Sequence, residues 1–458
     1  MNRKSDKLAI EGGPKAFSKR TGKGQPKIGV DEFMSVAERF GFSAKALKRI
    51  RKAVSNADLP PGGPHLGRYY GSPKPIKGEQ FEALAKKKFG VKFAMPVSSG
   101  TGALHAAFVG AGVGPGTEVI CPGLGFAATA MAVAVAGGVP VFSDVDESLQ
   151  LDPKKLEAAI TRRTVAIAPT HHWGNMCDMA PIMRIARRHR LMVIEDCAQG
   201  PGARYKGKYV GTIGDIGCFS ISSYKIIGGG EGGMVVANDQ RLFERVCQCA
   251  EAGGLWRPIR FAPPRYKGEL FAGTNYRLSE LESAIDLVQL RKLDDVCRRH
   301  RHVSRRVRSQ LKTYREITPQ KINDAKGYIG YMMRFFPQTC ELSKKIADAL
   351  RAEGIGAWTR GRVHAPDWHI YKYMFPITLK CGSMLGGSVF QDPRYTRRGG
   401  RVSYKGACPV AEDLYAREIL VGLDQWFSDR DCDNVARGIN KVLSAYCTED
   451  KRAKGWGL

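Results

Sequence analysis

Seven short runs between residues 93 and 239 are rich in β-branched, aromatic and other apolar residues: FAMPVSS, EVICPG, VPVFSDV, TVAIAPTH, LMVIEDC, IGCFSIS and GGMVVAND. Helical patterns separate several of them, among them GALHAAFVGAG, DPKKLEAAI and MAPIMRIARRHR. Strands that alternate with helices are joined by crossovers, which lay the strands parallel and cover both faces of the sheet. The chain is therefore expected to be an α/β protein with a largely parallel seven-stranded sheet. In such sheets ligands sit beyond the carboxyl ends of the strands.

Around this block the chain divides into three. Residues 1–67 read as an N-terminal arm and linker, with a helix at DEFMSVAERFG and the start of a Pro/Gly-rich connection, PPGGPHLGRYYGSPKP. Residues 68–298 form the large domain, entered through an amphipathic helix, GEQFEALAKKKFG, that stops at Gly90. Residues 299–458 form a smaller α+β domain with a strand-like YIGYMMRFF, helices at CELSKKIADALRAEG and DRDCDNVARGINKVLSAY, and an exposed tail, EDKRAKGWGL. A long helical stretch, LSELESAIDLVQLRKLDDVCRRHRHVSRRVRSQL, carries the chain from one domain into the other. No residue between Glu118 and Asp144 is charged, but Pro and Gly interrupt this segment twice, so strand, loop, small-residue helix and strand describe it better than a membrane span.

Charge and cysteine usage narrow the function classes. The 72 Lys and Arg exceed the 44 Asp and Glu, a formal net charge of +28. The basic clusters are short and fall on helical patterns, where a solvated face is the default, so nucleic acid stays a remote alternative. Twelve cysteines lie singly with no CxxC, and the start of the chain lacks an apolar signal core; both suit a reducing cytoplasm. No metal site is expected: His171-His172 are the only adjacent histidines, no HExxH occurs, and His300 and His302 sit in RRHRHVSRR, a solvated face or an anion contact.

Three segments resemble phosphate loops. Gly228–Gly233 satisfies GxGxxG, but a strand follows where a dinucleotide site needs a helix. GARYKGK ends in Tyr209, where a Walker loop needs a hydroxyl, and reads as a hairpin. Ser98-Ser99-Gly100-Thr101-Gly102 stands at a strand-to-helix junction, where small residues free N–H groups for an anion or simply cap the helix. Two further features favour the anion. Glu195-Asp196 puts a carboxylate at the end of a buried strand, where it needs a cationic partner, and Lys225 follows another strand just ahead of a glycine run. Cradle, buried carboxylate and strand-end lysine together suggest a Schiff-base lysine for pyridoxal phosphate.

The ordered motifs SSGTGAL, GFAATA, EDCAQGPGARYKGKYVG, FSISSYK with GEGG, and GTNYRLSE resemble those of the DegT/DnrJ/EryC1/StrS family. The likeness is strong from about residue 68 to 295 and looser to about 445, where ACPVAEDLYAREI resembles a late family segment. It implies a fold-type-I pyridoxal-phosphate transferase acting on keto-sugars or cyclitols. Lys225 would hold the cofactor as internal aldimine and shuttle the proton, Asp196 would pair with the pyridine nitrogen, Gln199 would lie near the phenolic oxygen, and Phe126 would stack on the ring. Gly100, Thr101 and Ser220 would hold the phosphate, with Asn275 reaching it from the partner subunit of a homodimer. His171 matches a family histidine, with Gly174 and Asp178 after it, and a packed histidine is its other explanation.

The activity implied is ping-pong transamination from glutamate or glutamine, through the pyridoxamine form, to a keto-sugar or keto-cyclitol. A dehydratase of the same family would have histidine in place of Lys225, and a non-catalytic cofactor-binding sensor would keep the fold without turnover. The stretch Ile221–Tyr224 departs from the family pattern between the phosphate serine and the lysine. Arg277, Arg360 and Arg362 are candidates for a substrate carboxylate or phosphate by residue type alone.

Overall fold

A computed structural model describes residues 7–17, 19, 26–60, 62–68, 74–254, 270–362, 365–382 and 387–457. The chain forms two compact units, Met1–Lys74 and Pro75–Leu458. The first contains α1 (Val30–Arg39) and α2 (Ala44–Ala53). The Glu32 carboxylate accepts the Gly29 N–H at 2.7 Å, and Ser43 Oγ accepts from Ala46 N, so each helix start has one backbone donor capped by a side chain.

The second unit opens with α3 (Lys77–Phe89), which ends at Gly90 in the left-handed conformation, φ +66°. All seven expected strands are present: β1 (Phe93–Val97), β2 (Glu118–Pro122), β3 (Val139–Ser143), β4 (Thr164–Ile167), β5 (Met192–Asp196), β8 (Ile216–Ser220) and β9 (Gly233–Ala237). Their spatial order is β1-β9-β8-β5-β4-β2-β3, with every pairing parallel except those of β9. Between β5 and β8 the GARYKGK segment forms a two-stranded hairpin, β6 (Arg204–Tyr205) and β7 (Lys208–Tyr209). Lys206 and Gly207 have φ of 50° and 81°, the positive pair that a tight hairpin turn demands.

Helices α4 (Gly100–Gly110), α5 (Ala128–Val135), α6 (Pro153–Ala159), α7 (Met179–His189) and α8 (Gln240–Ala250) connect or flank the strands. The uncharged stretch after Glu118 is β2, α5 and β3, and no helix among the described residues is long and apolar enough to cross a membrane. Two clusters sandwich the sheet, one holding Phe108, Val119 and Val235, the other Phe81, Val193 and Phe219.

Helix α9 (Glu280–Arg308) is continuous over 29 residues, so the 298/299 boundary falls inside a helix and not between compact bodies. Beyond it, β10 (Ile317–Pro319), β11 (Met332–Pro337), β12 (Ala357–Trp358) and β13 (Ile419–Gly422) form an antiparallel sheet in the order β10-β11-β13-β12. Helix α10 (Cys340–Ala352) and a helix at Asp429–Tyr446 pack on it through Ile346, Leu350, Ile439 and Leu443. The strand starts at Met332 and not at Tyr328, because Gly330 turns at φ +78° with its Cα face against Ser304. The tail departs from expectation at one residue. Trp456 is 4% exposed, packs edge-on to Phe335 and donates its indole N–H to the Lys312 carbonyl at 2.8 Å.

Candidate active site

The carboxyl ends of β5 and β8 and the amino end of α4 converge. A Cβ on Gly100 would lie 2.7 Å from the Ser220 Cβ, so only glycine lets the helix start this close to the strand end. Ser99 Oγ takes the Gly102 N–H at 3.0 Å. The Gly100 and Thr101 N–H groups precede any intrahelical acceptor, and the helix dipole adds positive potential to them. Ser220 Oγ and Ser222 Oγ stand 3.4 Å apart beside them. One helix end and two hydroxyls thus meet in a geometry able to cradle an anion.

Asp196, 3% exposed, ends β5. Its carboxylate accepts the Thr129 hydroxyl at 2.6 Å and the Ala198 N–H at 3.0 Å, so neutral donors supply part of the stabilisation that a cation was expected to give. Burial pushes the Lys225 ammonium pKa down, and the Asp196 charge opposes that shift in part. Phe126 presents its ring at 44% exposure, 5.3 Å from the His369 ring, a large apolar face left open where a flat ligand would stack. Gln199, 8% exposed, follows Asp196 by three residues, and its buried side-chain oxygen has no partner among the described residues. An orphaned buried amide of this kind is costly unless a ligand completes it.

Glu195 and His171 belong to the scaffold. The Glu195 carboxylate accepts N–H groups of Gly211 (2.8 Å), Ile213 (2.7 Å) and Gly214 (2.6 Å), and His171 Nε2 lies 2.9 Å from it. His171 Nδ1 accepts from Cys177 N at 3.1 Å, so Nε2 carries the proton and donates it to Glu195. Both ring nitrogens are thus used in fixing the strand end beside Asp196. His171, Glu195 and Cys197 each bring one ligand-type atom within 4.8 Å of the others, but these hydrogen bonds already occupy the histidine and the carboxylate.

The neighbouring His172 is a feature that the motifs did not single out. It is fully buried, stacks on Trp173 and His369, and has neither ring nitrogen paired. Burial, then the positive charges of His369, Arg334, Arg360 and Lys225, push its pKa far down, so it is a neutral imidazole next to the lysine. Trp173 carries a left-handed backbone, φ 54°, which strains a bulky residue and marks a site held by its surroundings. His369 is oriented by Asp367, whose Oδ1 lies 2.8 Å from Nδ1. Burial works upward on Asp367, yet hydrogen bonds from His369 and Tyr415 hold its carboxyl well below the usual range.

The candidate arginines fare differently. Arg360 pairs with Asp367 at 3.2 Å and with Glu418, so it is a structural cation and not a free anchor for substrate. Arg362 lies on the surface, 3.8 Å from Asp413. Arg277 pairs its backbone with Val97. Asn275 is exposed, its Oδ1 accepting the Arg277 N–H at 3.1 Å, and its neighbour Tyr276 is tied to the cradle: Ser98 N donates to the Tyr276 carbonyl at 2.7 Å, and the Tyr276 hydroxyl bonds His105 Nδ1 at 2.8 Å.

The glycine run after Lys225 packs on α9, with no helix following it. A Cβ on Gly232 would lie 2.7 Å from Asp286 Oδ2, and one on Gly230 would lie 3.1 Å from the Glu282 carboxylate. Asp286 is fully buried with both oxygens unpaired, and burial followed by the Glu282 charge pushes its pKa up to about 8. Its folded pKa is raised above the unfolded value, so the native state binds the extra proton. Stability is full below about pH 4 and declines as pH rises through about 8. Asp286→Asn is expected to raise stability by about 1–3 kcal/mol more at pH 9 than at pH 5, checked by denaturant unfolding at both. Equal effects at the two pH values would contradict it.

Comparison with known proteins places this geometry. The sequence model of the DegT/DnrJ/EryC1/StrS aminotransferase family matches residues 76–373. The chain is 44% identical over 217 residues to a GDP-perosamine synthase of Caulobacter vibrioides, 47% of this chain and 57% of that protein. It is 40% identical over 211 residues to an L-glutamine:2-deoxy-scyllo-inosose aminotransferase of Streptoalloteichus tenebrarius, 45% of this chain and 50% of that one. These matches span about half the length of the relatives. The crystal structure of S. venezuelae DesV in complex with a ketimine intermediate superposes with a TM-score of 0.63 at 28% identity, covering 80% of this chain and 88% of that one. The architecture is that of the fold-type-I pyridoxal-phosphate aminotransferases, and with the family model matched across the whole seven-stranded sheet the chain belongs to the DegT/DnrJ/EryC1/StrS aminotransferase family.

Proposed function

We propose that this chain is a pyridoxal-phosphate aminotransferase that moves an amino group from glutamine or glutamate to a keto-sugar or keto-cyclitol by a ping-pong route. The observation that carries the proposal is Lys225, its ammonium destabilised by burial, placed within the field of buried Asp196 beside the α4 cradle. The residues fit the cofactor: two unspent N–H groups and Ser220 for its phosphate, the open Phe126 ring for its face, and the orphaned Gln199 side chain for its ring oxygen. Bound there, pyridoxal phosphate supplies an aromatic ring that withdraws electrons from the substrate carbon. Asp196 would hold a proton at the ring nitrogen. Lys225 Nζ, less basic than a solvated lysine, would take the proton from the donor carbon and return it to the acceptor carbon.

Asn275 is exposed, as a residue serving a second subunit must be, and a homodimer with shared sites follows from that role. All twelve cysteines are free, in keeping with the cytoplasm as the place of the reaction.

The test is a visible spectrum of protein loaded with pyridoxal phosphate, before and after each amino donor. The band of the bound aldehyde form is expected to bleach with glutamine or glutamate and to return on addition of an accepted keto-sugar or keto-cyclitol. Parallel double-reciprocal plots would establish the ping-pong order. A protein that binds the cofactor and is moved by no donor would be a sensor, and one that never takes up the cofactor would sink the proposal.

A further inference from the structure

The second half of α9 carries RRHRHVSRR, which the transamination site does not use. Arg301, Ser304, Arg305 and Arg308 recur every three or four residues and so share a helix face. That face lines a cavity of about 610 Å³, closed on its other side by Tyr328 and Gly457. Arg305 comes 19 residues after Asp286, about 28 Å along the helix, so the cavity is separate from the Lys225 region.

Charge accounting separates this cavity from an ordinary solvated face. At its rim Arg298 pairs with Asp295, His302 with Asp429 at 2.8 Å, and Arg306 with Asp433 at 2.8 Å. Along its wall, from exposed Arg305 to buried Arg308, no described carboxylate answers Arg301, Arg305 or Arg308. Arg301 donates to the Gly202 carbonyl at 2.8 Å and the Tyr328 carbonyl at 3.3 Å, and Arg308 to the Trp456 carbonyl. Arg308 is 6% exposed, and burial pushes its pKa down. A buried cation without a counter-charge is costly. Ser304, 2% exposed, is packed against Gly330 and takes no part in the charge balance. Three guanidinium groups with no described carboxylate partner, lining one sizeable cavity, suit one anion with several oxygens.

We propose that this cavity binds the diphosphate group of a small molecule. Guanidinium forks match phosphate oxygens two at a time, and Arg301 and Arg308 leave the helix seven residues apart, about 10 Å along its axis, a span that suits two phosphates better than one. The shared chemistry belongs to free pyrophosphate and to nucleoside diphosphates alike.

The experiment is titration calorimetry on the full chain loaded with pyridoxal phosphate and freed of excess, using inorganic pyrophosphate, ADP and inorganic phosphate as probes. Pyrophosphate is expected to bind saturably and more tightly than phosphate. ADP binding more tightly than pyrophosphate identifies a nucleotide as the source, and equal or weaker binding identifies the free anion. Arg305 is exposed, so Arg305→Glu should fold normally, keep the spectral response to amino donors and lose affinity by about tenfold or more. No saturable binding of pyrophosphate or ADP, unchanged affinity in Arg305→Glu, or a single-stranded oligonucleotide preferred over both probes would each overturn the proposal.

Discussion

Lys225→Ala is expected to lower transamination by about 10³-fold or more, because the proton transfer between donor and acceptor carbons loses its positioned base. The lysine is half-buried on the segment after β8, and its amine is already tuned toward the neutral form by burial. The loss should appear in kcat for both half-reactions and should be partly restored by small exogenous amines, which can enter the space that the side chain leaves. A variant that retained wild-type turnover would remove Lys225 from the chemistry. Unfolding of the variant is not the concern, since no hydrogen bond of the native fold ends on its Nζ among the described residues.

Asp196→Asn is expected to be the next most damaging change, by about 10²–10⁴-fold in kcat. The amide keeps the size of the carboxylate but loses its charge. Thr129 and Ala198 both donate to Asp196, at 2.6 and 3.0 Å, and an amide can accept through only one of its two ends. With its oxygen toward Ala198 the amide can donate its NH2 to the Thr129 hydroxyl, so both hydrogen bonds can persist while the field that opposes the desolvation of Lys225 disappears. Cofactor uptake measured by absorbance should weaken in parallel with kcat, while Asp196→Glu should retain part of both. If Asp196→Asn turned over normally, the carboxylate would be a scaffold group like Glu195.

The contrast between Glu195 and Asp196 shows where sequence reading stops. Both sit in the same EDC motif at the end of a buried strand, and the need for compensation is legible in both. That Glu195 is satisfied by three backbone N–H groups from residues 211–214 is a matter of loop conformation, which no local pattern encodes. The seven strands and α9 were legible because their apolar periodicities are local properties. The antiparallel insertion of β9 between β1 and β8 was not, since GGMVVAND carries no mark of direction. The cradle residues Gly100 and Ser220 were picked out by resemblance, and their close approach supplies a physical reason for the glycine. His172 and His369 are 197 residues apart, so their stacking has no sequence signature, and Asp367 beside His369 reads as an ordinary surface acid. The glycine run looked like a failed nucleotide loop; its composition answers instead to the carboxylates of α9 that lie against it.

The unbroken course of α9 bears on how a chain of this kind can vary. Each residue added to or removed from a helix turns everything beyond it by about 100° and shifts it by about 1.5 Å. A single insertion near Leu290 would swing Arg301 away from the Gly202 carbonyl that it binds, and with it the entry point of the β10-β11-β13-β12 sheet. The exposed face of the helix can therefore exchange side chains without moving the junction, whereas length changes within it keep the faces in phase only in steps of about seven residues.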